Sequence, residues 1–361
     1  MPGRTVLLNP GPVNISERVR RALTRPDICH REDDFSRLMA AIRSRLLQAF
    51  APAGFTAVLV TGSGTAALEA AVSSSVDEGR AMLVVVNGVY GERIAKMART
   101  HGIRVVEAAS EWTAPPDLGL IERILKEYAA VQVVAMVHHE TTTGLINPVA
   151  QVGRLAGANG KSFLVDSISG LGGEPLDLDA ARVDLCVGTA NKCVQGVPGI
   201  SFVLARDDEM ARRRTIPPRS VYLHLPSNWA AQEKGETLFT PAVHAAYALD
   251  EALVEMLEEG VSNRIARYAA AAALLRAGYD RLGLSCLLPP VLRSNSITAL
   301  NLPPGLSYER LHNRLKAEGF VIYAGQGALS NRIFRVANMG DVSLDEYRSF
   351  LTVLELALRE G

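Results

Sequence analysis

From about residue 55 to residue 205, short Val/Ile/Leu-rich runs alternate with longer stretches whose apolar residues recur every three or four positions. This is the pattern of a largely parallel sheet flanked by helices. Strands are predicted at 57–60, 81–86, 103–107, 131–137, 161–165, 185–188 and 200–204, and their near-continuous apolarity says that both faces are covered. Helices are predicted at 65–76, 91–101, 118–128 and 148–158, each between two of those strands. Beyond residue 205 a polar stretch rich in Arg and Pro runs to Thr240, followed by two long helices over 241–259 and 262–282. A small unit begins near Leu287, with a strand at 296–300, a helix at 308–318, strands at 321–323 and 332–336, and a closing helix at 344–359. The expected architecture is α/β: a large domain over 1–260 with a mainly parallel seven-stranded sheet, and a smaller C-terminal α/β domain over 261–361.

A chain of 361 residues with 48% hydrophobic content can bury a core of that size. Its 38 basic and 38 acidic residues balance and form no long run of one sign, which argues against a nucleic-acid or anionic-lipid surface and for small-molecule substrates. The four cysteines, Cys29, Cys186, Cys193 and Cys286, have neither metal-ligand spacing nor the density of a disulfide framework, so no metal is expected and a reducing cytoplasm fits. Residues 1–9 lack the charged and apolar regions of an export signal, and no segment has the roughly 18 uninterrupted apolar residues of a membrane span. A soluble, cytoplasmic protein is expected.

The candidate chemistry lies at the ends of the predicted strands. Thr61-Gly62-Ser63-Gly64-Thr65 sits between a strand and an alanine-rich helix, where small residues let backbone N–H groups and hydroxyls close on a phosphate. The same residues would also serve as an ordinary helix cap. Asp166 ends an apolar strand, a place where ligands of open α/β sheets bind, and a carboxylate there needs a cationic partner or a turn to cap. Lys192, in Thr189-Ala190-Asn191-Lys192-Cys193, follows another apolar strand and precedes a glycine-rich loop, a poor setting for a casual surface charge and a fair one for a nucleophilic amine. Tyr90 follows a strand at a helix start, where its ring could lie on a flat ligand or fill the core. Thr141-Thr142-Thr143 offers hydroxyls or a simple polar loop. Arg335 lies in an apolar strand as a rim charge or an anion clamp. Thr240-Pro241 has the form of an N-cap followed by proline at the first helical position.

In this order, phosphate turn, aromatic, threonine loop, strand-Asp, strand-Ala-Asn-Lys, the chain resembles the class V aminotransferases of pyridoxal-phosphate fold type I. Within that family it is most similar to the 2-aminoethylphosphonate:pyruvate transaminases. The similarity rests on Leu8-Asn9-Pro10-Gly11-Pro12, His30-Arg31-Glu32, His139-Glu140-Thr141-Thr142-Thr143-Gly144, Ala190 through Gly199 and Gly319-Phe320-Val321-Ile322-Tyr323. Asn9 stands where that family usually has threonine or another small residue, and 212–229 matches no part of it.

The resemblance implies pyridoxal 5′-phosphate as cofactor, with Lys192 as its covalent anchor and general base, Asp166 on its ring nitrogen and Tyr90 on its ring face. Ser63, Gly64 and Thr65 would cradle the phosphate, and Thr143 would meet the ring hydroxyl or a phosphate oxygen. Thr240 would reach the phosphate of a neighbouring subunit, making a homodimer part of the mechanism, and residues 1–20 would cross to the small domain or to the partner. Arg335, Asn9 and Gly11 would face the substrates, 2-aminoethylphosphonate and pyruvate. Alanine:glyoxylate or serine:pyruvate transamination would use the same residues with a different anion in the pocket. A pyridoxal-phosphate lyase or desulfurase would need a mobile-loop cysteine, and Cys286 in Leu284-Ser285-Cys286-Leu287 lacks that setting. A non-catalytic regulator would carry a helix-turn-helix segment, which is not apparent.

Overall fold

The computed structural model describes residues 4–359, so the outermost residues of the two expected domains, 1–3 and 360–361, lie outside the described residues. Its centre is a seven-stranded sheet. In chain order the strands are β1 (Phe55–Gly62), β2 (Ala81–Val86), β3 (Arg104–Ala109), β4 (Val131–Val137), β5 (Ser162–Asp166), β6 (Leu185–Thr189) and β7 (Gly199–Arg206). In space they run β1-β7-β6-β5-β4-β2-β3. The pairings of β2 through β6 are parallel, and β7 is antiparallel to both of its neighbours.

The alternation of side chains along each strand divides the core in two. Ala81, Leu83 and Val85 point into one apolar layer with Phe163, Val165 and Phe202, covered by helices 33–50 and 243–259. Met82, Val84 and Val86 point into the opposite layer with Leu164, Leu185 and Val187, covered by helices 64–73 and 89–100. All six residues of β2 and all five of β6 are buried, as expected of strands covered on both faces.

A separate apolar cluster forms the small unit, where β8 (Ile297–Asn301), β10 (Ile333–Ala337) and β9 (Tyr323–Ala324) make a three-stranded antiparallel sheet backed by helices 308–317 and 344–359. The N-terminal segment joins it: Val6–Leu7 pairs in parallel with Phe320–Val321, and Ala337 N–H donates to the Leu8 carbonyl at 2.8 Å. Gly260, at φ 83°, separates helix 243–259 from helix 261–281. No helix among the described residues is long and apolar enough to cross a membrane.

Several expectations need correction. Helix 33–50 lies ahead of the predicted elements, although Phe35, Leu38, Met39, Ile42 and Leu46 form a helical stripe on its buried face. The polar stretch after 205 holds two further helices, 207–213 and 225–232, the second anchored by buried Leu225 and Trp229. The expected strand 321–323 splits into two short strands on either side of Ile322, because 320–321 pairs with the N-terminal segment and 323–324 with β10. Thr240 caps nothing: the helix starts at Val243 after Ala242, so Thr240-Pro241 lies in the extended approach to it.

Candidate active site

The carboxyl ends of β1, β4, β5 and β6 open onto one cavity, lined by Ser63, Gly64, Thr65, Tyr90, Arg93, His139, Asp166, Asn191 and Lys192 among others. Six of the residues expected at the site from sequence therefore meet there. Ser63 is the N-cap of helix 64–73, yet its side chain makes no capping bond, so its hydroxyl and the free N–H groups of the first turn face the cavity.

Lys192 is held by a tight turn after β6. Gln195 N–H donates to the Lys192 carbonyl at 2.9 Å and Gly196 N–H to the Ala190 carbonyl at 2.8 Å. The turn needs Gln195 at φ 66°, a conformation most side chains resist, and the buried bond from Gln195 Nε2 to Tyr268 Oη at 2.6 Å holds it there. The N-terminal turn presses on the lysine from the other side. Gly11 has φ 93°, and a Cβ placed on it would lie 2.8 Å from Lys192 Cδ, so only glycine fits. Burial pushes the Lys192 amine down to about 8, against the attraction of Asp166.

Asp166 is buried at the tip of β5 and accepts the Ile168 N–H at 3.0 Å. Burial pushes its carboxyl up to about 6, opposed by that bond and by the charges of Arg93 and Lys192. A further cation in the cavity would draw it back toward the ionised form. Tyr90 lies in the first turn of helix 89–100, with the Arg93 guanidinium 4.7 Å from its ring centre.

Glu140 and Arg93 had not been singled out from sequence. The buried Glu140 carboxylate accepts the Tyr90 N–H at 2.9 Å and so caps the helix that carries the aromatic ring. It packs so tightly under Gly88 that a Cβ there would overlap its carboxylate. No local spacing signals this contact, because Glu140 and Tyr90 are 50 residues apart in sequence.

The threonine loop departs from expectation. The Thr143 hydroxyl donates to the Trp112 carbonyl at 3.3 Å and does not line the cavity. Thr142 bonds Glu140 at 3.1 Å and receives the Val89 N–H, whereas the Thr141 hydroxyl is buried with no hydrogen-bond partner among the described residues. The Thr141 carbonyl accepts from Arg335 Nη1 at 2.8 Å, and Arg335 Nε donates to the Ala324 carbonyl at 2.8 Å. No carboxylate pairs with this buried guanidinium among the described residues. Asn9 spends its side chain on the Pro12 carbonyl at 2.9 Å, shaping the turn that places Gly11. Thr240 is exposed and away from this chain's cavity.

The loop after β5 also ties the two units together. Buried Glu174 accepts the Asn295 N–H at 2.7 Å and the Ser296 hydroxyl at 3.1 Å, and burial pushes its carboxyl up to about 8. A carboxyl raised in the folded state contributes stability that is complete below the unfolded value and is lost as pH rises through about 8. Glu174→Gln, which keeps both bonds, is expected to remove roughly 1 kcal/mol of destabilisation between pH 7 and 9. Tm measured against pH for both proteins checks this, and parallel curves would refute it.

The matches with known proteins agree with this geometry. The family model described as aminotransferase class-V matches residues 16–350. A Klebsiella pneumoniae protein named 2-aminoethylphosphonate–pyruvate transaminase is 39% identical over 360 residues, covering 98% of this chain and 97% of the relative. One of the same name from Syntrophobacter fumaroxidans is 39% identical over 343 residues, covering 93% and 92%. The crystal structure of an alanine–glyoxylate aminotransferase from Nostoc sp. superposes with a TM-score of 0.94 at 28% identity, covering 99% of this chain and 96% of that one. The chain belongs to the class V aminotransferases and shares their fold type I architecture and their dependence on pyridoxal phosphate.

Proposed function

We propose that the protein transfers the amino group of 2-aminoethylphosphonate to pyruvate, giving phosphonoacetaldehyde and L-alanine. The observation that carries the proposal is a half-buried lysine and a buried aspartate in one cavity, with a buried arginine that has no acidic partner among the described residues within electrostatic reach of the lysine, in a chain 39% identical to proteins of that name.

The donor set fits pyridoxal phosphate. The free first turn of helix 64–73, with Ser63, Gly64 and Thr65, suits the phosphate, Asp166 the ring nitrogen and Tyr90 the ring face. Neither Thr141 nor Thr143 lines the cavity, but the Thr141 hydroxyl has no hydrogen-bond partner among the described residues and is the one left available to a polar ring substituent. When bound, the cofactor supplies an aldehyde that takes up the amino group and a ring that accepts electron density from the adjacent carbon. Lys192 would anchor that aldehyde and, once displaced by the substrate amine, would take up the proton from the carbon bearing nitrogen and hold it for return. An amine whose pKa burial has lowered to about 8 is partly unprotonated near neutral pH, as a base must be. Asp166 would keep the proton on the ring nitrogen. Arg335, whose Nη2 makes no hydrogen bond among the described residues, turns toward the substrate anion.

The working unit in this reading is a cytoplasmic homodimer. Thr240 adjoins exposed Leu238 and Phe239, and Phe239 stacks on exposed Tyr222 at 5.0 Å. A second copy covering this apolar patch would carry Thr240 to its own phosphate site. Four unpaired cysteines suit a reducing compartment.

The likeness to the Nostoc enzyme favours alanine:glyoxylate transfer as the second reading. Mixing the cofactor-loaded protein with each amine separates the two. Rapid loss of the cofactor's visible absorbance with 2-aminoethylphosphonate is expected; no change with it, and a rapid one with alanine or serine, would reverse the assignment.

A further inference from the structure

His139 lines the cavity beside Lys192 and Asp166 and has no role in the chemistry above. It begins a two-residue strand, His139–Glu140, paired with Leu145–Ile146, so its backbone is fixed. Its Nδ1 lies 3.2 Å from the Ser169 carbonyl oxygen. A carbonyl oxygen only accepts, so Nδ1 carries the ring proton and Nε2 is left with an open lone pair. That Nε2 is buried and has no hydrogen-bond partner among the described residues. Charging the ring is not a remedy: burial, aided by neighbouring His138 and Lys192, holds its pKa down to about 3. The adjacent His138, whose Nδ1 meets Ser167 Oγ at 2.9 Å, does not line the cavity.

A buried acceptor left unmade is costly, and the side chain that carries this one lines the space a ligand fills. We propose that His139 is a ligand-binding residue of this cavity: a rigid, neutral imidazole whose Nε2 accepts a hydrogen bond from an O–H or N–H of the molecule held between Lys192 and Asp166. The proposal rests on the pyridoxal-phosphate reading of the site. The donor is either a polar substituent of the cofactor or the amino group of the incoming substrate. In both cases the ring rewards a ligand that brings a hydrogen to this point, and it does not donate a proton at neutral pH.

Nitrogen NMR of 15N-histidine-labelled protein, with His139→Gln used for assignment, tests this. In the cofactor-free protein His139 is expected to show a protonated Nδ1 and an unprotonated Nε2 that does not titrate from about pH 5 to 9. Addition of pyridoxal 5′-phosphate should shift Nε2 alone if the cofactor is the donor; a shift only on further addition of 2-aminoethylphosphonate assigns the donor to the amine. His139→Phe, which keeps ring bulk without the lone pair, should bind the responsible ligand about tenfold more weakly, and His139→Gln should recover part of that loss. A protonated Nε2, an Nε2 unmoved by both additions, or unchanged affinity of a folded His139→Phe would overturn the role. Failure of the wild-type protein to take up the cofactor would overturn the site reading and this role with it, whereas normal uptake with an unmoved nitrogen overturns this role alone.

Discussion

Lys192→Ala is expected to lower transamination by about four orders of magnitude, because in the proposed mechanism one side chain serves both as covalent anchor and as base. The fold should survive. The turn that presents the lysine is built from backbone bonds, Gln195 N–H to the carbonyl of residue 192 and Gly196 N–H to that of Ala190, which alanine leaves intact. The truncation also opens space beside Gly11, where a side chain would have met the lysine stem. Borohydride reduction followed by peptide mapping provides the check: wild-type protein should carry the cofactor at position 192 and the variant should carry none. Product formation at the wild-type rate in the variant would remove Lys192 from the chemistry.

Asp166→Asn is expected to cost about two to three orders of magnitude in turnover and to weaken cofactor retention. The amide matches the carboxyl in shape and its oxygen can still accept the Ile168 N–H, so packing at the tip of β5 is preserved. What disappears is the charge that, in the proposed mechanism, would hold a proton on the ring nitrogen. The same charge favours the ammonium form of Lys192, so the lysine of the cofactor-free variant should titrate below its wild-type value of about 8. Turnover, cofactor dissociation and the pH dependence of lysine modification are the measurements. An Asn variant with wild-type turnover would show that the aspartate only caps a turn.

Much of the sheet could be read from the chain because its signal is local. Strands such as 81–86 and 131–137 are apolar at nearly every position, and small residues at their ends mark the places where backbone must approach a ligand. Helix 33–50 was equally legible in its stripe of Phe35, Leu38, Met39, Ile42 and Leu46, and the lack of a strand before it hid it. The threonine loop was not legible to the residue. Thr141, Thr142 and Thr143 are chemically equivalent in one dimension, and contacts with Trp112, Glu140 and Val89 decide which hydroxyl is left over.

The chain by itself determined the order of the elements and the kinds of group that meet at the sheet's rim: the small-residue turn before helix 64–73, Asp166 after one apolar run and Lys192 after another. Hydrophobic periodicity and turn chemistry act between near neighbours, so they are written in the sequence. Only the tertiary structure decided how those groups are tuned and which partners they keep. The desolvation of Lys192 and Asp166, the seat of Gly11 on the lysine, the Glu140 cap beneath Tyr90 and the open lone pair of His139 all join residues far apart in the chain, and burial and close approach exist only once the two units are packed.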